Sequence, residues 1–115
     1  MGNILVERML TLIHTEHPGI VTLRMLGQAL GRQPGYLGSV FQDELRMSVR
    51  EYATRLRMQQ AEELVRAGLK IEAVALTVGY RSKKNFYRQF RRHFGTTPDR
   101  FRRAFNDKNN RTLHR

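Results

Sequence analysis

A chain of 115 residues with 40% hydrophobic side chains can bury small cores but no deep catalytic cavity, so it forms one compact domain or two small lobes of about fifty residues sharing a helix. Its 21 lysines and arginines against 10 acids leave a net charge of +11, which demands a polyanionic partner: nucleic acid first, an anionic membrane surface second. No apolar run is long enough to span a bilayer, the N-terminus carries Glu7 and Glu16 and lacks a signal-peptide cleavage site, and the absence of cysteine removes disulfides, thiol nucleophiles and cysteine-ligated zinc.

Along the chain, residues 3–16 place Leu5, Met9, Leu12 and Ile13 on one stripe of an amphipathic helix, which His17-Pro18-Gly19 breaks. Thr22 can cap a short helix reaching Leu30, and Gly31 can take the left-handed turn that follows. Pro34 suits the first turn of a helix that buries Leu37, Val40, Phe41 and Leu45. Ser48 followed by Glu51 is a capping box, opening a long helix that runs to about Ala67 and stops at Gly68. At 1.5 Å per residue its roughly 19 residues span about 28 Å. Ile71, Val74, Ala75 and Val78 then form one face of a helix ended by Gly79. Ser82 caps the next, where Phe86, Phe90 and Phe94 recur at four-residue spacing before Gly95. Thr97-Pro98 opens a last helix facing Phe101 and Phe105 inward. From Asn106 periodicity vanishes, which predicts a disordered basic tail over 106–115. No strand-like alternation occurs, so the fold is expected to be all-α.

The same pattern occurs twice. Leu23, Leu26, Gly27, Leu30 and Gly31 recur 48 residues later as Ile71, Val74, Ala75, Val78 and Gly79. Leu37, Phe41, Leu45, Ser48 and Tyr52 recur at an offset of 49 as Phe86, Phe90, Phe94, Thr97 and Phe101. Each pass reads helix, glycine turn, helix, then a capped third helix, which is the outline of a helix-turn-helix. Such a motif needs a small residue where its two helices cross closely, and Gly27 and Ala75 occupy those positions. The expected organisation is a first helix-turn-helix lobe over 1–50, a shared linker helix over 49–68 and a second lobe over 69–105.

The two passes differ in charge. From Gly79 to Arg103 nine basic residues face Asp99 alone, a net +8, whereas Thr22 to Tyr52 carries four bases against three acids, a net +1. Phosphate neutralisation supplies most sequence-independent affinity for DNA, so the second lobe is the electrostatic anchor. With the phenylalanines inward, helical geometry turns Lys83, Lys84, Tyr87, Arg88 and Arg91 outward, with Arg81, Ser82 and Arg92 adding to the surface. Arg88 suits a bidentate contact to guanine, and Asn85 either reaches adenine or serves the helix cap. Lys83, Lys84 and Arg91 suit phosphates equally well, and Arg92 is read as a phosphate contact. In the first lobe Arg32, Gly35, Tyr36, Gly38, Ser39 and Gln42 are the outward set. Two glycines early in a recognition helix cost roughly 1 kcal/mol each relative to alanine and present no side chain to a base edge. This helix is therefore expected to read little sequence and to approach the groove closely.

Other constellations carry less. His14 and His17 lie three apart, a spacing that could share a metal, but no carboxylate or cysteine cluster converges on them. Glu62-Glu63 beside Arg66 reads as a salt-bridged helix face rather than a catalytic carboxylate pair. No phosphate-binding loop or nucleophile elbow occurs, and neither an enzymatic activity nor a cofactor is implied.

The stretch from Arg57 through Ala61, Leu64, Ile71, Ala75, Val78-Gly79-Tyr80, Ser82, Phe86, Phe90, Phe94-Gly95, Thr97-Pro98 and Arg102 resembles the DNA-binding domain of the AraC/XylS family. The likeness spans roughly residues 4–105 and is strongest in the second half. It implies two helix-turn-helix lobes joined by a long helix, with recognition helices entering successive major-groove segments about 34 Å apart on one face of double-stranded DNA. It also implies a bacterial, cytoplasmic transcriptional regulator, most often an activator touching RNA polymerase, bound to its operator as a monomer if stand-alone. The family's base-reading positions fall on Lys83, Lys84, Asn85, Tyr87 and Arg88, and on Gly35, Gly38 and Ser39. Two departures stand out: Arg46 occupies the first-lobe position where Gly95 stands in the second, and Gly27 replaces a more usual alanine or serine. Many relatives add an effector-binding domain, so the chain is read as a small stand-alone activator or the DNA-binding part of a longer regulator. The competing reading is a non-specific architectural module for nucleic acid, or a basic surface for RNA or membrane.

Overall fold

The structure, a computed structural model, describes residues 3–16 and 21–113, the last three by backbone alone. The expected break at His17-Pro18-Gly19 lies outside these residues. Among the described residues there are seven helices and no strand: α1 (Ile4–Thr15), α2 (Leu23–Leu30), α3 (Pro34–Leu45), α4 (Val49–Arg66), α5 (Ile71–Thr77), α6 (Lys83–Phe94) and α7 (Pro98–Leu113).

Local chemistry starts and stops these helices. Thr22 accepts a hydrogen bond from the Met25 N–H at 3.2 Å, Ser48 from Glu51 at 3.0 Å, Ser82 from Asn85 at 3.1 Å and Thr97 from Arg100 at 3.3 Å. Each satisfies an amide that the first helical turn leaves without a partner. The Glu51 carboxylate pairs forward with Arg55 at 3.3 Å, one turn along α4. Asn3 caps α1, and its own N–H donates to the Glu44 carboxylate, pinning the start of α1 to the end of α3.

The chain divides into two units at a boundary inside α4, between Arg57 and Met58. In the first unit the core is Val6, Met9, Ile13, Val21, Leu26, Leu37, Phe41 and Val49. The buried stripe of α1 is thus rotated from the expected one: Val6 is inside, while Leu5 and Leu12 flank the core. In the second unit Met58, Ala61 and Val65 from α4 meet Ile71, Val74, Ala75 and Val78 around Phe86 and Phe90, with Phe94 and Phe101 partly buried against them. Rings 5.7 Å apart in Phe86–Phe90 and 4.5 Å apart in Phe90–Phe94 give this core dense aromatic packing.

One segment departs from expectation. The stretch from Asn106, expected to be a disordered tail, continues α7 to Leu113. No glycine or proline follows Pro98, and propagating a helix gains one hydrogen bond per residue once a packed first turn has nucleated it. Residues 106–110 are all exposed, so apolar periodicity, which reports burial, is silent there while helicity persists.

Candidate nucleic-acid interface

Two helix pairs have the form a DNA reader needs, α2–α3 in the first unit and α5–α6 in the second. In each, the first helix is short and the second is entered through a turn holding a residue with positive φ, 65° at Gly31 and 98° at Gly79. The crossing is tightest in the first pair. A Cβ on Gly27 would sit 2.7 Å from the Arg32 carbonyl oxygen and 3.2 Å from Pro34 Cγ, so no side chain fits there without moving backbone. Ala75 occupies the corresponding position of the second pair, buried with its methyl group in place.

On α6, Phe86 and Phe90 face the core, and Lys84, Asn85, Arg88, Arg91 and Arg92 are exposed, as are Arg81 and Ser82 just before the helix. The Ser82 hydroxyl and the Asn85 backbone N–H are spent on the cap, leaving the Asn85 side chain at the surface. Tyr87, expected to point outward with the others, is half-buried, and Lys83, exposed as expected, is also paired within the unit. Lys83 Nζ donates to the Glu72 carboxylate of α5 at 2.8 Å and lies 5.4 Å from the Tyr87 ring centroid. The half-buried Tyr87 hydroxyl donates to Asp99 of α7 at 2.5 Å. Burial first, and then the bond to Asp99, push the Tyr87 phenol up to about 12. The bond from Lys83 holds the Glu72 carboxyl below its ordinary value, and the same bond raises Lys83.

Two further cations of this lobe serve the fold. Arg102 donates through Nε to the Val65 carbonyl at 3.1 Å and through Nη2 to the Leu69 carbonyl, closing the C-terminal end of α4. Arg66 pairs with Glu62 at 2.7 Å and lies over the rings of Phe101 and Phe105, at 5.6 and 5.2 Å. The charge count of the second half therefore overstates what faces a ligand. Glu72 is the residue that sequence reasoning missed. An acid in the first turn of a helix looks like ordinary dipole chemistry, and its pairing across 11 residues has no local signature.

On α3, Tyr36 is 55% exposed, and Gly35, Ser39, Gln42 and the preceding Arg32 are exposed as well. Gly38 differs from the expected outward set. It is half-buried, and a Cβ there would lie 3.1 Å from Leu23 Cδ1, so its lack of a side chain serves packing on α2. A Cβ on Gly35 would meet nothing within 4 Å. His14 Nε2 lies 2.7 Å from the Tyr52 hydroxyl; its possible metal partner His17 lies outside the described residues. Among the described residues no three His, Cys, Asp or Glu side chains group as metal ligands. An open groove of about 460 Å³ between α1 and α2 is lined mainly by Ile4, Leu12, Ala29 and Leu30, with Glu7 and Arg8.

A helix-turn-helix domain family matches residues 26–104, from within α2 through α3, α4, α5 and α6 into α7. The chain belongs to the AraC family of helix-turn-helix proteins. That family consists of DNA-binding transcription regulators. A helix-turn-helix transcriptional regulator of Bacillus subtilis, YtdP, is 29% identical over 97 residues, which is 84% of this chain and 13% of that protein. The C-terminal domain of AraT, a response regulator from Geobacillus stearothermophilus, superposes with a TM-score of 0.84 at 29% identity, covering 89% of this chain and 86% of the other. A DNA-binding transcriptional dual regulator from Escherichia coli K-12 superposes with a TM-score of 0.79 at 28% identity, covering 93% and 96%. The chain spans 13% to 36% of the length of the first curated relatives it matches. Within this AraC-family domain, Arg46 takes the left-handed conformation (φ 59°) that Gly95 takes (φ 77°) in the second unit. The departure noted in the sequence is thus a side chain forced into a glycine conformation.

Proposed function

We propose that this chain reads double-stranded DNA in a sequence-specific way, with α6 as its principal recognition helix, and that it does so as part of a transcriptional regulator acting in the bacterial cytoplasm. One observation carries the reading. Lys84, Asn85, Arg88, Arg91 and Arg92 form an exposed face with no acidic partner among the described residues, on a lobe where Arg66 and Lys83 are paired with acids and Arg102 is bonded to backbone carbonyls. A cationic face on a helix presented by a helix-turn-helix matches the width and charge of a major groove. Arg88 reads guanine through its paired donors, Asn85 reads adenine, and Lys84, Arg91 and Arg92 neutralise phosphates. On α3, Gly35 leaves the helix start bare, so the backbone approaches the neighbouring groove segment while Tyr36, Ser39 and Gln42 make the contacts there. Activation of transcription through RNA polymerase, with the chain monomeric on its operator, follows from the family resemblance and belongs to the same proposal.

Selection of bound sites from random DNA, followed by competition against unrelated duplex, tests it. The expected result is one selected motif preferred by roughly 10³-fold or more over competitor DNA. Equal affinity for all duplexes across a range of salt would instead mark a non-specific architectural module.

A further inference from the structure

The side chains Glu72, Lys83, Tyr87 and Asp99 form an unbroken chain of alternating partners across α5, α6 and α7. Lys83 Nζ is 2.8 Å from Glu72 Oε1 and 5.4 Å from the Tyr87 ring, and Tyr87 is bonded to Asp99 at 2.5 Å. Lys83 is the first residue of the helix that carries the cationic face. We infer that Glu72 is an internal competitor for the DNA backbone, holding Lys83 so that a phosphate must displace a carboxylate before this lysine contributes to binding. This rests on the DNA-reading function proposed above.

Three features support the role. The two charged side chains are 53% and 63% exposed, so the pair opens without disturbing the core. A carboxylate and a phosphate oxygen offer an ammonium the same chemistry, so the exchange is close to even and its balance depends on how well DNA seats against α6. Tyr87, anchored by Asp99, keeps its ring beside the ammonium, which limits where Lys83 goes when released. The consequence is discriminatory. A poorly seated, non-specific duplex fails to displace Glu72 and loses one phosphate contact, whereas a well-seated operator displaces it.

The test measures affinity of the full chain for a short random-sequence duplex as a function of salt, for the unaltered protein, Glu72→Gln, Lys83→Met and the double variant. Glu72→Gln should tighten low-salt binding roughly two- to fivefold, the range of an exposed ion pair. It should also steepen the salt dependence by up to about 0.9 in log–log slope, one phosphate's worth of released counterions. In the Lys83→Met background the same change should have no effect, because the acid acts through the lysine. Equal tightening in both backgrounds would show general repulsion of DNA and overturn the inference, as would no tightening in either. Failure of the unaltered chain to bind any duplex would overturn the DNA-reading function as well. Binding with an unresponsive Glu72→Gln would overturn this inference alone.

Discussion

The two units build one motif from opposite materials. In the first, the helix crossing is closed by a glycine with no room for a methyl group, while α3 ends in a strained arginine. In the second, the crossing takes an alanine, the helix ends in a relaxed glycine, and Phe86 and Phe90 fill the core with Phe94 packed against them at tilted ring angles. The cationic face lies on the second. The difference teaches that one motif tolerates a crowded crossing and a left-handed arginine in one copy, and an alanine crossing, a relaxed glycine and an aromatic core in the other.

Changes in each unit break or sharpen that contrast. Phe90→Ala removes a fully buried ring that touches Phe86, Phe94 and Phe101, and should cost about 3–5 kcal/mol. Denaturant unfolding with amide exchange should show the loss concentrated in residues 58–105. Arg88→Ala should cost about 1–3 kcal/mol of binding and relax preference at one base position, whereas Arg92→Ala should weaken all duplexes alike. A uniform loss from both in a competition assay would mean that the register of α6 against the groove is different. Gly27→Ala drives a methyl group into the Arg32 carbonyl and should destabilise the first unit by about 1–3 kcal/mol, as overpacking does. The reciprocal Ala75→Gly should cost about 1 kcal/mol for helix propensity alone, a smaller drop in thermal midpoint.

Arg46→Gly should raise stability by about 1 kcal/mol, because glycine takes the left-handed conformation without the Cβ clash, offset partly by its larger unfolded-state entropy. A differential melt of the two proteins checks it. The smallest effect is on pH dependence. The phenol of Tyr87 is raised from 10.0 to about 12 in the fold, so the unfolded chain releases its proton first. The resulting stabilisation is complete below pH 10.0 and is lost as pH climbs through about 12. Tyr87→Phe should flatten alkaline melting curves in that window.

Much of this was written in local sequence. The caps at Thr22, Ser48, Ser82 and Thr97 were legible because a side chain bonds an amide three residues away, a contact that needs no tertiary partner. The helix-turn-helix repeat and the exposed Lys84, Arg88 and Arg91 were legible because helical spacing turns a charged face from an apolar one, and the family because the residues from Val78-Gly79-Tyr80 to Thr97-Pro98 resemble its motif. Tertiary structure decided the rest. Whether Lys83 is free or bound depends on Glu72 arriving from another helix, Tyr87 turns inward because Asp99 waits at the start of α7, and Arg102 leaves the cationic surface to close the end of α4. Helix α7 outlasts its own periodicity because hydrogen bonding continues after burial stops. Charges can be counted along a chain, but whether each is available to a ligand is set by partners that only folding brings within about 3 Å.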